Sequence, residues 1–597
     1  RDLRRASDFH FFFMLFPLLI VVSLSSGAIV SGGWRDDVVA EDGRVQSSNI
    51  VSLPDLPVTT PPQSSKLSEP KPALGFQPNI IFILTDDQDT RLDGYKDQYS
   101  EWGSMAAQPA LQKHLIQGGV RMSNAFVATP ICCPSRAETF SGRHFHNLKD
   151  TPGRKCMHAD TSIGGNRTTG LFGRMVDLGY NTGLFGKVTN DQSQILAQIT
   201  QDGSADVINS PIDYNNYDGL PYFRKFPNGS HYTEKLDASH PVFGTTYQTT
   251  QIGNRSLEWI RSAAQDSKPF FAYIGPHAPH YPAQPAPWYQ NAFPDIKIPL
   301  TPNYNVSSPE KTQHIRQNPP LNSLAQCWEN QHFRDRWQSL LSVDDIVSDL
   351  FALLAELGIQ EKTFVVYTSD HGYKQGQWRV GTSKQHPYET DINVPLLFQG
   401  IGIPQGSTLP NMAANIDIMP TILDLAGGPE AIPGFVDGKS LVPLLVPSVA
   451  SQRGFDESSW RDHLIIEYLS VGTYFNDHST CTGTPKCAGG KPMPRGPGDT
   501  SNCVEGNTTG SGSCWFVDST HSNSWRLMRI KNKKENTAYI EYDSTYKWNT
   551  TDAKGSGLQY YELYDLNKDP YQLNNKYPDA SDSEKVRLHS LMAKEYA

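Results

Sequence analysis

Two segments of the sequence gather carboxylates directly after short apolar runs. Asp86-Asp87-Gln88-Asp89 follows Asn79 to Leu84, and Asp370-His371-Gly372 follows Phe364 to Tyr367. Clustered carboxylates repel one another unless a cation sits among them, and an oxygen-rich set suits calcium or magnesium. Solvated loop acids are the alternative reading. A third segment, Ile131-Cys132-Cys133-Pro134-Ser135-Arg136, offers a nucleophile. Pro134 is at home in the first turn of a helix, Ala137 to Ser141 can continue it, and Gly142 can end it. Cys132 would then stand at a helix N-terminus, where backbone N–H groups and the dipole favour an anion. Arg136, one turn on, adds a fixed positive charge. Two buried structural cysteines are the competing reading of Cys132 and Cys133. His277 and His280 share a loop after the run Pro269 to Ile274.

The elements that must position these groups are legible as an alternation. Apolar runs at Asn79–Leu84, Tyr180–Phe185, Pro269–Ile274, Thr363–Thr368, Val394–Phe398 and His463–Tyr468 read as buried strands. Helical patterns lie between them at Leu111–Ile116, Leu171–Leu178, Thr249–Ala264, Arg336–Leu357 and Asp417–Ala426. Strands alternating with helices predict an α/β domain with a large, mainly parallel sheet sandwiched by helices. In such sheets ligands gather past the carboxyl ends of the strands, where the acidic segments fall. From about Trp525 the texture changes: Trp525–Ile530, Thr537–Tyr542 and Leu558–Leu566 predict a smaller C-terminal antiparallel sheet, closed by a helix over Ser583–Lys594. The expected organisation is a leader over 1–33, a flexible Pro/Ser-rich linker over 34–75, a catalytic domain over 76–450 and a C-terminal subdomain over 451–597.

The chain has 597 residues, a net charge of −10, 19% charged and 11% aromatic residues, so it can bury a sizeable core. Its acidity weighs against nucleic acid as a partner, while a local basic pocket can still hold a polyanion. Arg1, Arg4 and Arg5 precede an apolar run from Phe11 to Leu24, followed by Ser25-Ser26-Gly27-Ala28. This pattern reads as a secretory signal peptide, with an N-terminal membrane anchor as the alternative. Glycosylation sequons at Asn166, Asn228, Asn254, Asn305, Asn507 and Asn549 agree with a secretory route to the extracellular space, a cell-wall or periplasmic space, or a lysosome-like compartment. Cys481, Cys487, Cys503 and Cys514 cluster in a Gly/Pro/Ser/Thr-rich stretch and read as two disulfides, whereas Cys156 and Cys327 either pair or stay free.

Taken together, these segments resemble the sulfatase family. Cys132-x-Pro-Ser-Arg136, followed by Ser141-Gly142-Arg143, is similar to its signature. "NIIFILTDDQD" and "YTSDHGY" resemble its two metal segments, "GLFGK" ending at Lys187 its sulfate-binding segment, and "PFFAYIGPHAPHYP" its histidine segment. "KQHPYETDINVPLLFQGIGI" and "DIMPTILDLAG" complete seven segments in the family's order. The double cysteine, "GRHFHN", "TSDHGY" and "ELYDLNKDPYQLNN" resemble most the branch holding N-acetylglucosamine-6-sulfatases, heparan-sulfate endosulfatases and algal-type arylsulfatases.

The resemblance implies an alkaline-phosphatase-like sulfatase fold and a role for each residue. Cys132 would be oxidised to formylglycine by a formylglycine-generating enzyme, leaving Cys133 as a buried neighbour. Asp86, Asp87, Asp370 and His371 would hold one calcium ion together with residue 132. His371 departs from many relatives, which carry Asn there. Arg136 would stabilise the ionising nucleophile, and Lys187, His280 and Lys384 would cradle the sulfate, with His280 or Lys384 protonating the departing alcohol. Many relatives have a His two residues after the Gly-Lys lysine; here that position is Thr189, and His144 or His146, close after the nucleophile helix, could substitute, an ordinary surface or structural histidine being the competing reading of each. Tyr373, Gln375 and Trp378 either line the substrate cleft or serve loop packing. The implied substrate is a sulfated small molecule or a sulfated polysaccharide. A phosphatase or phosphodiesterase of the same superfamily, and a non-catalytic extracellular binding protein on this scaffold, are the competing readings.

Overall fold

The computed structural model describes residues 72–90, 107–148, 170–189, 247–470, 523–543 and 560–596, apart from positions 282, 317, 319, 322 and 383. It also gives three short strand segments between 206 and 233. The chain divides between Gln63 and Ser64, and every described residue belongs to the unit Ser64–Ala597. The leader, most of the linker and the cluster Cys481, Cys487, Cys503 and Cys514 lie outside the described residues, as do Cys156, Asn166, Asn228, Asn507 and Asn549. Among the described residues no helix is long and apolar enough to cross a membrane.

The principal sheet is built from β1 (Asn79–Thr85), β2 (Val120–Phe126), β3 (Asn181–Gly186) and β4 (Asp206–Val207). After a small hairpin of β5 (Phe223–Lys225) and β6 (His231–Thr233), it continues with β7 (Phe270–Gly275), β8 (Thr363–Ser369), β9 (Leu396–Gln399) and β10 (Ser407–Ala414). The strand order is β10-β2-β9-β8-β1-β7-β3-β4. All neighbours pair in parallel except β9, which runs against both β2 and β8. β7 and β8 are buried along their whole length, as continuous apolar strands covered on both faces must be. One face packs on the helices Cys132–Ser141, Leu171–Asp177 and Ile418–Gly427, the other on Gln248–Ala263 and the long helix Ser323–Glu356.

A second sheet, β11 (His463–Tyr468), β12 (Trp525–Lys531), β13 (Asn536–Tyr542) and β14 (Tyr560–Asp565), is wholly antiparallel and is backed by the helix Asp582–Tyr596. Five strands escaped sequence reasoning: the short β4, β5 and β6, and the longer β2 and β10. β2 carries Arg121, Ser123 and Asn124 in its middle, and β10 alternates exposed and half-buried residues at the sheet edge, so neither is a continuous apolar run. The run His463–Tyr468 is a strand, but it pairs antiparallel with β12 in the second sheet. The long helix begins at Ser323, well before the expected Arg336, because its polar first half lacks a marked apolar stripe.

Candidate functional site

Four adjacent strands, β8-β1-β7-β3, run in parallel and deliver their carboxyl ends to one place. β1 ends in Thr85 and presents Asp86 and Asp87; β8 ends in Ser369 and presents Asp370 and His371. β7 leads to His277 and His280, and β3 to Lys187. The segment after β2 enters the helix Cys132–Ser141, whose first residue is Cys132 and whose C-cap Gly142 takes φ 67°, as the sequence predicts.

Cys132 Sγ lies 3.4 Å from Asp86 Oδ1, 3.2 Å from His371 Nε2 and 3.0 Å from Lys384 Nζ. His371 Nε2 is also 3.2 Å from Asp87 Oδ1 and 3.5 Å from Asp370 Oδ1. Its Nδ1 lies 2.9 Å from the Gly372 carbonyl, which can only accept, so that nitrogen carries a proton and a neutral ring turns its Nε2 lone pair toward the carboxylates. Ligand atoms of Asp86, Cys132, Asp370 and His371, and likewise of Asp86, Asp87, Cys132 and His280, lie within 4.8 Å of one another. This donor set, rich in carboxylate oxygen and completed by an imidazole, fits a divalent metal ion.

The cations are as ordered as the acids. Lys187 Nζ donates to Asp86 Oδ2 at 2.5 Å and Lys384 Nζ to Asp87 Oδ1 at 2.7 Å. Arg136 Nε donates to Asp370 Oδ2 at 2.8 Å, and its NH1 donates to the Lys187 carbonyl and Tyr273 hydroxyl at 2.8 and 2.9 Å. Burial opposes ionisation of Asp86 and Asp87. Lys187, His280 and Arg136 around the former, with His280, Lys384 and His371 around the latter, nevertheless hold both well below the usual carboxylate range. Burial likewise opposes charge on Lys187 and Lys384, and Asp86 and Asp87 respectively overcome it and raise both. His277 and His280 face Asp86 and Asp87 at 3.8 Å, and burial lowers both imidazoles below their ordinary value.

Some expected residues stand elsewhere. His146 follows the far end of the ten-residue helix, about 15 Å along its axis from Cys132. Its Nδ1 lies 2.7 Å from Glu467 Oε1, and its ring stacks on His144 and Tyr596, so the structure engages both rings beside Glu467 rather than beside Cys132. Tyr373 and Trp378 are buried and serve packing: Trp378 lies 4.2 Å from Tyr388, and Tyr373 lies under the Arg336 guanidinium. Gln375 is also buried and accepts from Arg336. Cys133 is buried and disulfide-bonded rather than a mere buried neighbour. Asn254 is exposed on a helix, whereas both amide atoms of Asn305 bond the Leu321 backbone.

Sequence reasoning missed Arg336 and Tyr273. Arg336 is fully buried and donates from NH2 to the Asp87 carbonyl at 2.5 Å, where Asp87 holds a left-handed φ of 70°. No motif flags it, because it sits in mid-helix.

A family description named Sulfatase matches residues 78–428 of the chain. The chain belongs to the sulfatase family. It is 31% identical over 510 residues to the N-acetylglucosamine-6-sulfatase of Capra hircus, covering 84% of this chain and 80% of that one. It is 28% identical to the arylsulfatase of Volvox carteri, over 87% of this chain and 74% of that one. Among solved structures, BT4656 in complex with its substrate D-glucosamine-2-N,6-O-disulfate shares the fold, with a TM-score of 0.58 at 19% identity over 87% of this chain and 98% of the other. This sulfatase is therefore a sulfuric ester hydrolase, and its fold is the alkaline-phosphatase-like one with an added antiparallel sheet.

Proposed function

We propose that this sulfatase cleaves sulfate monoesters with residue 132 as nucleophile after its conversion to formylglycine, at a single calcium ion held by Asp86, Asp87, Asp370 and His371. The observation that carries the reading is the convergence on Cys132 Sγ of Asp86, His371 and Lys384, at 3.4, 3.2 and 3.0 Å. When bound, the metal lowers the pKa of an oxygen nucleophile and draws charge off the sulfate.

The chain's own residues do the rest. Arg136 fixes Asp370 and the Lys187 carbonyl, so the nucleophile helix and β3 keep one spacing. Lys187, His280 and Lys384 bind the sulfate oxygens; preorganised hydrogen-bond donors in a dry pocket stabilise charge in the transition state, and loss of one such donor costs roughly 10²–10³ in rate. Lys384, raised by its carboxylate neighbours, holds a proton for the departing alcohol across the neutral range.

The substrate class we favour is a 6-sulfated glucosamine, on the strength of the goat relative's name and of the sulfated glucosamine in the solved structure of like fold. The leader pattern and the exposed sequon at Asn254 support a secretory route, on which a formylglycine-generating enzyme would act.

The test couples mass and activity. Secreted, active protein is expected to show the aldehyde or its hydrate at position 132 in the peptide Ala128–Arg136, and to release sulfate from glucosamine 6-sulfate faster than from an aryl sulfate or a sulfated polysaccharide. An intact thiol at 132 in fully active protein overturns the nucleophile. A preference for the aryl ester overturns the substrate class.

A further inference from the structure

The segment "GRHFHN" is absorbed by no step of the reaction, yet it borders a second cluster of metal-ligating side chains. Glu138 lies in the last turn of the helix Cys132–Ser141, His144 in the turn after it, and Glu467 on β11 of the second sheet. A carboxylate oxygen of each glutamate and a ring nitrogen of His144 lie within 4.8 Å of one another. Glu138 is 0% and Glu467 1% exposed.

The hydrogen bonds of the cluster stop short of satisfying it. Glu138 Oε1 accepts from Thr129 Oγ1 at 2.8 Å and Phe145 N at 3.1 Å, and its Oε2 accepts from Asn415 Nδ2 at 3.2 Å. Glu467 Oε1 is engaged by the backbone and ring nitrogens of His146 at 3.0 and 2.7 Å. Glu467 Oε2 and His144 Nδ1 are buried with no hydrogen-bond partner. An unpaired buried carboxylate oxygen is costly, and native folds rarely leave one without an ion, a water or a proton. Among the described residues no lysine or arginine bonds either glutamate: Arg143 lies over the Phe435 ring, and Arg461 is committed to both oxygens of Asp417.

We propose that Glu138, His144 and Glu467 bind a second divalent cation, of the zinc class, that joins the nucleophile helix to the second sheet. The donors select the class. Two carboxylates with an imidazole suit zinc better than calcium, and bonds of about 2.0–2.2 Å require ligand atoms only about 3.3 Å apart, which side-chain rotation within the cluster reaches. The bonds from Thr129, Phe145 N, Asn415 and His146 act as the outer support that orients metal-bound carboxylates. The remaining coordination position falls to water. The site is structural: it ties Glu467 to the helix whose opposite end carries Cys132. A proton shared by the two carboxylates is the competing occupant, since burial pushes Glu138 up to about 8.

The experiment uses the full secreted protein, stripped with a chelator and dialysed into excess calcium with a small, fixed zinc concentration. Calcium fills the oxygen-rich Asp86 site, so retained zinc reports the second one. Zinc per chain is measured by mass spectrometry and Tm by fluorescence for wild type, His144→Gln, Glu467→Gln and Asp370→Asn. Wild type and Asp370→Asn are expected to retain one zinc per chain and to gain in Tm when zinc is added; His144→Gln and Glu467→Gln are expected to lose both. His144 is only partly buried, so its variant folds even where the Glu467 variant does not. Wild type that retains no zinc overturns the site and leaves the proton. Zinc lost in Asp370→Asn but kept in His144→Gln also overturns it, by assigning the ion to the catalytic centre.

Discussion

At the scale of single residues, the site depends on one backbone conformation that no motif encodes. Asp87 takes φ 70°, a region that costs a non-glycine residue on the order of 1 kcal/mol, and it persists because its surroundings over-determine it. Its N–H donates to Asp370 Oδ1 at 3.1 Å, and its carbonyl accepts from Arg336, whose guanidinium stacks 4.1 Å from the Tyr373 ring centroid. Arg336 is thus a positioning residue that acts through Asp87. Arg336→Met is expected to lower kcat roughly tenfold to a hundredfold, as a misplaced catalytic group does, and to weaken binding of the proposed calcium ion, while KM for the sulfate ester changes little. Arg336→Lys should restore part of both, since it keeps one donor. Calcium titration alongside kinetics checks this; normal calcium affinity in Arg336→Met would show that the residue only packs. The carboxylates, Cys132 and the lysines were legible because each follows an apolar run or stands in a sequence-local motif. Arg336 was not, because its partner lies 249 residues away and its own neighbours read as ordinary helix.

At the scale of elements, caps and helix contacts hold the site's scaffolding. The nucleophile helix ends at Gly142 with φ 67°, and an added Cβ there would meet Val436 Cγ1 at 2.8 Å. Gly142→Ala combines that clash with an unfavourable left-handed backbone and is expected to destabilise the protein by about 1–3 kcal/mol; denaturant unfolding measures it, and an unchanged midpoint refutes it. A second contact is pH-sensitive. Asp344, on the long helix, accepts the N–H groups of Ala110 and Leu111 at 2.9 and 2.8 Å and so caps the turn Pro109–Leu111. Burial outweighs those bonds and pushes its carboxyl from 3.8 up to about 6. The folded state therefore holds more protons than the unfolded one between these values, so this contribution is fully present below pH 3.8 and is lost as pH rises through about 6. Asp344→Asn removes that slope: the wild-type advantage in Tm should shrink between pH 4 and 7, and a constant difference would exclude the linkage. Strand positions were readable where burial on both faces leaves an unbroken apolar run, as in β1, β7 and β8. They failed where a strand is half-exposed, as in β10; the strand at His463–Tyr468 was legible at its observed bounds, but its antiparallel pairing in the second sheet was not.

At the scale of the whole molecule, the second sheet reaches the loop that carries Lys384. Lys384 lies in a loop after β8, and the next residue, Gln385, has φ 80°. That loop is gripped from the second sheet and the segment leading into it. The Gln385 carbonyl accepts from Asn523 Nδ2 at 3.1 Å and from Trp525 Nε1 at 3.0 Å, and its side-chain oxygen accepts from Tyr468 at 2.8 Å. Further contacts lock the two sheets together: Arg529 donates to Glu389 at 2.8 Å, and buried Lys311 sits 3.8 Å over the Tyr388 ring, bonding Tyr564 at 2.9 Å. A sequence read strand by strand shows two sheets but not that one holds a lysine for the other, since the contact joins positions 140 residues apart. Trp525→Phe tests the coupling with little change of volume. It deletes a single buried N–H donor at a fully buried ring, so the Gln385 carbonyl keeps only the Asn523 bond. The expected stability loss is about 1–2 kcal/mol. If Trp525 positions Lys384, kcat for sulfate release also falls, by about fivefold or more at a temperature where the variant remains folded, because about 1 kcal/mol of lost positioning raises the barrier by that factor. A lower Tm with an unchanged kcat would reduce Trp525 to a packing residue and leave the loop after β8 to hold Lys384 by itself.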